Sequence, residues 1–383
     1  MVIVGGGVIG SSVAYHLVAL EPGIRVRVVE RDRTYARAST TLSVGGVRAQ
    51  FSLAENVRIS LYAQEVLERF EDEMAVDGER PAISYRRDGY LFLVNRAGLE
   101  RAEQALELQQ GLGAAVEWWS PERIREEFTL IAVEGLAGGT FGPRDGHLDP
   151  YSVLMAYRAK ARSLGAEYVA GEVVQVRREG RRVAGVILAS GERLTAGVVV
   201  NAAGAWAGEV ARTAGVDLPV VPVKRQVFSF RPAVVSDRPW PLVIAPSGLY
   251  FRSESSGQVL VGRSFPDDPE GFDFTYDHRR FLEVLWPELA EVVPAFDTLR
   301  LSRGWAGLYA VNRLDGNAVL GEWPELAGFY LANGFSGHGL QQAPAVGRYL
   351  AERILGRPPF MDLDCFGPER VIEGRPLSES GLV

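Results

Sequence analysis

The sequence predicts an α/β protein: a Rossmann-like domain laid down in separate stretches, plus a second domain on a large mixed or antiparallel β-sheet. Three observations predict it. Met1-Val2-Ile3-Val4 is a short apolar run followed at once by Gly5-Gly6-Gly7-Val8-Ile9-Gly10, a G-x-G-x-x-G at the junction of strand and helix. A second apolar run, Ile24 to Val29, ends in Glu30, twenty residues past Gly10, where an acceptor for ribose hydroxyls belongs. Near the other end, Asn333-Gly334-Phe335-Ser336-Gly337-His338-Gly339-Leu340 again feeds glycines into a helix.

In the first loop each glycine has its own part. Gly5 permits the tight turn, Gly7 lets the backbone approach a pyrophosphate, and Gly10 lets helix and strand pack closely. The helix from Val8 to about Leu20 aims the N–H groups of its first turn, Val8 and Ile9 among them, at the phosphates. The plain alternative is a glycine-rich turn in an ordinary α/β protein. Arg31 follows the ribose acid directly. The loop Ser39-Thr40-Thr41-Leu42-Ser43-Val44-Gly45-Gly46-Val47-Arg48 is rich in hydroxyls and amides, suited to phosphate oxygens or a ring edge, or else a surface turn.

The middle of the chain alternates between the two domains. Leu53 to about Asp72 reads as a helix, Tyr85 to Val94 as a hairpin or strand pair, and Gly135 to His147 as glycine-rich and irregular. Asp149-Pro150-Tyr151 opens a helix to Leu164. Successive strands follow at Ala166–Val169, Gly171–Val176, Arg182–Ala189 and Arg193–Val200, the last ending in Asn201-Ala202-Ala203-Gly204-Ala205-Trp206, whose small residues let backbone press on a planar ligand. Pro222–Phe230, Gly248–Arg252 and Gln258–Gly262 read as strands of the second domain, and Leu301–Leu308 as a return to the first. This assigns 1–75, 146–216 and 302–365 to the cofactor domain, 76–145 and 217–301 to the substrate domain, and 366–383 to a C-terminal tail.

Composition narrows the function. A 383-residue chain is comfortable for two domains. The net charge of −7 argues against a nucleic-acid partner. Cys365 is the single cysteine, so no internal disulfide forms, and no histidine spacing suggests a metal. No apolar run is long enough for a membrane span and no basic stretch precedes an apolar one, which predicts a cytoplasmic protein; a monomer or small homo-oligomer is expected. The opening strand is short for its kind, so either it is brief or the start is trimmed. Lys160 and Lys224 are the only lysines; the other basic residues are arginines, which keep their charge and grip carboxylates with two parallel bonds.

Two glycine loops, each feeding a helix, suit a flavin better than a nicotinamide. The pyrophosphate occupies the first. The reduced ring carries negative charge that the helix beginning at Leu340 stabilises by about 1 kcal/mol, up to about 2 when partly buried. His338 in that loop is either a catalytic base or a residue that places its backbone beside the ring.

With these landmarks, together with Trp305-Ala306-Gly307, the chain resembles the FAD-dependent amine and amino-acid oxidoreductases, a family that includes monomeric sarcosine oxidase, glycine oxidase and dimethylglycine dehydrogenase. Ala38–Arg48 and Gly337–Pro344 look most like a mitochondrial FAD-dependent oxidoreductase domain-containing type linked to respiratory complex I assembly. The resemblance implies a sequence-discontinuous FAD domain with backbone near Val173 meeting the adenine. The departures imply non-covalent FAD: Gly307 falls where sarcosine oxidases carry their flavin-linked cysteine, and residues 38–48 lack the histidine that dimethylglycine dehydrogenase uses. Gln341 replaces a lysine of the sarcosine oxidases, and Tyr309 an arginine of glycine oxidase.

The expected reaction is oxidation of a small amine or amino acid, a sarcosine-like secondary amine first, with electrons passing to oxygen or an electron-transfer partner. Another amino acid or a 2-hydroxy acid, or a flavin-bearing assembly factor, are the alternatives. Arg48 and Arg252 are the candidates for a substrate carboxylate, with a structural ion pair as the other reading of each. Tyr250, Tyr309 and Trp305 wall the pocket or pack the core, and Gln341 bonds substrate or a flavin oxygen.

Overall fold

The computed structural model describes residues 1–379. At its centre lies β1 (Val2–Val4), whose three branched side chains are buried. An all-apolar triplet of this kind suits a parallel strand covered on both faces. β1 pairs in parallel with β2 (Arg27–Glu30) on one side and with Val199–Asn201 on the other. Glu167–Ala170 extends the sheet beyond β2, and Phe329–Asn333 and Val319–Glu322 extend it the other way, the outermost pair antiparallel.

The turn after β1 leaves no room for side chains. Gly5 has a φ of +98°, and a Cβ there would lie 2.4 Å from the Ala202 carbonyl oxygen. A Cβ on Gly10 would lie 2.0 Å from the carbonyl oxygen of Gly5. The helix α1 (Val8–Leu20) therefore starts tightly against the strand ends. It then packs along the Gly339–Ile354 helix, where Gly347 meets Ser12 and the Ser12 hydroxyl donates to the Ala343 carbonyl at 2.7 Å. The helices that follow the two glycine loops are thus direct neighbours.

A small antiparallel sheet, Val173–Glu179, Arg182–Leu188 and Arg193–Thr195, stands beside the first. Here Arg193–Val200 is corrected from one strand to two. The chain breaks between Thr195 and Val199, leaving the small sheet and entering the central one. Periodicity cannot reveal that break, since both halves are strand.

The second layer is an eight-stranded sheet in the order Leu299–Asn312, Val220–Pro232, Gln258–Gly262, Tyr250–Glu254, Leu242–Ile244, Tyr90–Asn95, Leu136–Gly142, Glu117–Trp119. Three expectations change. Tyr85–Val94 is no hairpin: the strand Tyr90–Asn95 pairs with Leu242–Ile244 in parallel and with Leu136–Gly142 antiparallel. Gly135–His147 is not irregular, because its glycines mark close approach within a strand. A Cβ on Gly138 would meet the Trp118 ring at 2.4 Å, and one on Gly139 the Phe92 carbonyl at 2.7 Å. Leu301–Leu308 does not return to the first sheet; Leu299–Asn312 pairs with Val220–Pro232 along its whole length. Phe228, Phe230, Phe251, Phe281 and Phe296 are fully buried in a core on this sheet.

The contact of α1 with the Gly339–Ile354 helix gives a direct test. In Gly347→Ala the new methyl meets Ser12 Oγ at 2.1 Å and the Ser12 backbone carbon at 2.8 Å. Overpacking of this kind costs about 1–3 kcal/mol. Thermal unfolding of G347A will show a lowered Tm, and adding Ser12→Ala will recover part of the loss; an unchanged Tm would show that the two helices slide apart freely.

Candidate functional site

One cleft of about 820 Å³ is lined by the N-terminus of α1 and by that of the Gly339–Ile354 helix. At the first end, Gly7 precedes the helix without a side-chain cap, and no acidic residue stands in the first turn. The Val8 N–H donates to Thr40 Oγ1 at 3.3 Å. At the second end His338 precedes the helix, again without a side-chain cap and without an acidic first turn. Helix starts bare of acid attract negative charge.

Glu30 ends β2 on the cleft wall. Its Oε2 accepts from the Gly6 N–H and its Oε1 from the Asp32 N–H, each at 2.8 Å. These bonds lock the carboxylate while leaving lone pairs for ligand hydroxyls. Val173, Ala203, Gly204 and Trp206 form the adjoining wall, and Tyr309, Gly337, Gly339 and Leu340 the far one. The cleft therefore offers a ribose acceptor, a diphosphate cradle and a separate anion-stabilising helix start. A flavin dinucleotide matches all three; its diphosphate is anionic and its ring becomes so on reduction.

The family model described as FAD dependent oxidoreductase matches residues 1–353. The chain belongs to the FAD-dependent oxidoreductase family. FAD-dependent oxidoreductase domain-containing protein 1 of Bos taurus is 41% identical over 395 aligned residues, covering 93% of this chain and 81% of that protein. The L-proline dehydrogenase of P. horikoshii superposes with a TM-score of 0.88 at 28% identity and covers 98% of each chain. Mitochondrial dimethylglycine dehydrogenase of Homo sapiens is 29% identical over 96% of this chain and 44% of its own length. As a member of this family the chain is a FAD-dependent oxidoreductase of the type that acts on amines or amino acids. FAD is its cofactor, as in the flavoenzymes it resembles, and glycine at position 307, where the resemblance to sarcosine oxidases places a flavin-linked cysteine, agrees with non-covalent binding.

Most of the expected cofactor residues line the cleft: Gly5, Gly7, Val8, Ile9, Glu30, Arg31, Ser39, Thr40 and Ser43, with Val173, Ala203, Gly204, Trp206, Gly337, Gly339 and Leu340. Gly10, Val44, Gly45, Gly46, Gly307, His338 and Gln341 do not. Packing explains the glycines among them. A Cβ at Gly45 would strike the Leu148 carbonyl at 2.1 Å, one at Gly46 the Tyr90 hydroxyl at 2.0 Å, and one at Gly307 would approach Leu42 Cβ at 3.1 Å. The Ser39 and Ser43 hydroxyls, for their part, donate to the carbonyls of Leu308 and Thr40.

Past Gly337 the cleft gives way to a group around Arg48. Gly337 lies against the Tyr309 ring, and a Cβ there would be 2.4 Å from it. The next residue, His338, places Nε2 3.1 Å from Arg48 Nη2. Arginine only donates, so Nε2 accepts and the ring proton sits on Nδ1. Burial and the Arg48 charge push the His338 ring down to about 3. The ring is therefore neutral at neutral pH, with Nε2 engaged by Arg48. The Arg48 guanidinium is buried, 3.9 Å from the Phe51 ring centre and 5.3 Å from that of Phe92. Tyr90, Tyr250 and Tyr309 interact electrostatically within this group, and burial raises all three phenols above their usual range, so they remain neutral hydroxyls.

Two expected substrate contacts are redirected. Arg252 is buried, and its Nε and Nη2 donate to the Val44 carbonyl at 3.1 and 2.8 Å, its Nη1 to the Ser253 carbonyl at 2.7 Å, and it pairs with Glu254 at 2.9 Å. It braces the Val44 loop. Gln341 accepts from the Arg48 N–H at 2.9 Å, and its amide nitrogen faces the Arg48 carbonyl and Ser60 Oγ. It holds Arg48 rather than a ligand. Trp305 donates to the Leu42 carbonyl at 2.9 Å and lies off the cleft.

Sequence reasoning missed Asp145, a buried carboxylate that accepts from the Ala49 N–H, Gln50 Nε2 and Gln64 Nε2 at 2.8–2.9 Å. Burial raises its carboxyl to about 6. Nothing local marks it, since its partners lie some eighty to ninety-six residues away. Among the described residues no cluster could hold a metal.

The His338 ring is expected to show no NMR titration between about pH 5 and 8, where an ordinary histidine titrates. Its folded value lies below its unfolded one, so its contribution to stability is present above about pH 6.5 and is lost as pH falls toward 3. His338→Gln will flatten that part of the stability profile. A ring midpoint near 6.5 would contradict its bond to Arg48.

Proposed function

We propose that the protein oxidises a small secondary amine or N-methyl amino acid, sarcosine-like in size, to the imine, which water then hydrolyses. One observation supports this above the rest: a buried arginine, Arg48, stands among aromatic rings beside the second helix start. Bound FAD supplies the hydride acceptor. Arg48 anchors the substrate carboxylate with charge-assisted hydrogen bonds. Tyr309, Tyr250 and Tyr90 wall the space around the amine and exclude water.

The amine must be neutral to release hydride. Desolvation and a nearby positive charge both lower the pKa of an ammonium group. The Arg48 charge beside a neutral His338 therefore favours the reactive form without a dedicated side-chain base. Gln341 and Asp145 act through Arg48 and the residue that follows it, by holding the backbone of Arg48 and Ala49. The name and likeness of the proline dehydrogenase support a secondary amine, and those of dimethylglycine dehydrogenase an N-methyl amino acid. Oxygen or a separate electron-transfer protein closes the cycle.

Anaerobic mixing of the yellow protein with sarcosine, N-methylalanine, proline and glycine tests the reading. At least one of the secondary amines is expected to bleach the flavin, and lactate is not. If none of the four bleaches it, the amine assignment fails. Arg48→Met is expected to raise KM for the responsive amine on the order of 100-fold, the scale of losing a buried charged hydrogen bond, while FAD content stays at the wild-type level.

A further inference from the structure

The segment Gly271–Tyr276 belongs to the eight-stranded-sheet side of the molecule, yet it packs against Trp206, a residue of the cleft wall. It is pinned to the Val220–Pro232 strand at several points. Gly271 N–H donates to the Pro222 carbonyl at 2.9 Å, Asp277 N–H to Gln226 Oε1 at 2.6 Å, and Lys224 Nζ bonds Asp273 at 2.6 Å. Lys224 is buried, and it is one of the chain's two lysines. In extended backbone, residues two apart share a face. Asp273 turns to Lys224, while Phe272 and Phe274 turn to Trp206 on the cleft wall. Phe272 stacks on Trp206 at 5.1 Å with planes 10° apart, although Phe272 is 42% exposed. Phe274 lies 6.4 Å from the same ring, 15° from parallel.

Two cations complete the arrangement. Arg31 lies 3.7 Å from the Trp206 ring centre and pairs with Glu172. Arg37 lies 5.4 Å from the Phe274 ring centre. Arg31 and Arg37 are the only basic residues on the cleft wall, against four acids: Glu30, Asp32, Glu172 and Glu209. Arg37 makes no ion pair among the described residues. An exposed stack at a cleft mouth, with a cation held on a ring face beside a diphosphate cradle, serves retention of an anion.

We propose that Phe272 and Phe274 form a clasp with Trp206 over the adenosine-diphosphate half of FAD, and that Arg37 supplies the counter-charge to its diphosphate. The clasp comes from the sheet opposite the glycine loop, so FAD leaves only when the Gly271–Tyr276 segment lifts. The inference rests on the FAD site and is independent of the substrate.

Release of FAD from the holoenzyme after dilution, followed by recovery of flavin fluorescence, tests both parts with no substrate present. Phe272→Ala/Phe274→Ala is expected to release FAD at least about ten-fold faster at every salt concentration, and Phe272→Leu at an intermediate rate, since it keeps bulk but not stacking. Arg37→Gln is expected to release FAD faster at low salt, with the difference from wild type shrinking as salt screens the charge. Far-ultraviolet circular dichroism confirms that each variant is folded. Wild-type release from the double variant or from Phe272→Leu overturns the clasp, and a difference for Arg37→Gln that is absent or indifferent to salt overturns the diphosphate pairing.

Discussion

The packing of α1 against the Gly339–Ile354 helix is the constraint on which the site depends. Each helix begins at a glycine loop, and each presents uncapped N–H groups to the same cleft. Neither start could accept a nearby acid without losing its hold on an anion. What sets their separation is the crossing at Gly347 and Ser12, where the absent side chain lets the backbones close and the serine hydroxyl bonds the Ala343 carbonyl. A cofactor with negative charge at two places along its length is thereby measured by a helix contact that never touches it.

The second helix carries more than the ring-binding turn. Its first residues include Gln341, whose amide clasps the Arg48 backbone, and Gln342, whose amide nitrogen donates to Asn56 Oδ1 at 3.1 Å. Asn56 in turn donates to Asn317 and to Glu379, and Glu379 also accepts from the N–H groups of Ser52 and Leu53 at the start of the Ala54–Glu73 helix. Asp145 holds the next stretch through Ala49, Gln50 and Gln64. The guanidinium of Arg48 is thus located by backbone bonds on both sides of it. A long side chain carries roughly 2 kcal/mol of rotamer entropy, and prepaying it by fixing the stem sharpens recognition of a planar carboxylate.

Local chemistry was legible in the sequence and long-range pairing was not. The turn at Gly5 and the acid at Glu30 are set by residues within one turn and one strand, and their spacing alone brings them to one cleft wall. The loop at Gly337 was legible for the same reason. Glycines at 45, 46, 138, 139 and 307 carry no such local meaning; each makes room for a carbonyl, a ring or a side chain from elsewhere in the chain. That is why Gly135–His147 looked irregular, and why the packing at Gly45, Gly46 and Gly307 could not be read from the sequence. Arginine type identified Arg48 and Arg252 equally well as carboxylate ligands. Only the fold separates their surroundings: Arg252 meets the Val44 carbonyl and Glu254, while Arg48 meets His338 and the Gln50 carbonyl.

Around Arg48 and Arg252 the titratable groups shift so that the lasting positive charge rests on arginine. His338 and His147 are both pushed down to about 3, by burial first and by neighbouring arginine charge next, so neither adds a proton at neutral pH. The three tyrosines stay protonated. Asp145 moves the opposite way, to about 6, and its sign follows from linkage: its folded value exceeds its unfolded one, so its stabilising contribution is full below about pH 4 and is lost as pH rises through 6. Above that pH the ionised carboxylate rests on three N–H donors and on the Arg48 charge. The histidines lose stability at the acid end and Asp145 at the neutral end. A permanently charged arginine is the group that remains indifferent to both, and a lysine in its place would itself be drawn toward neutrality by the same burial.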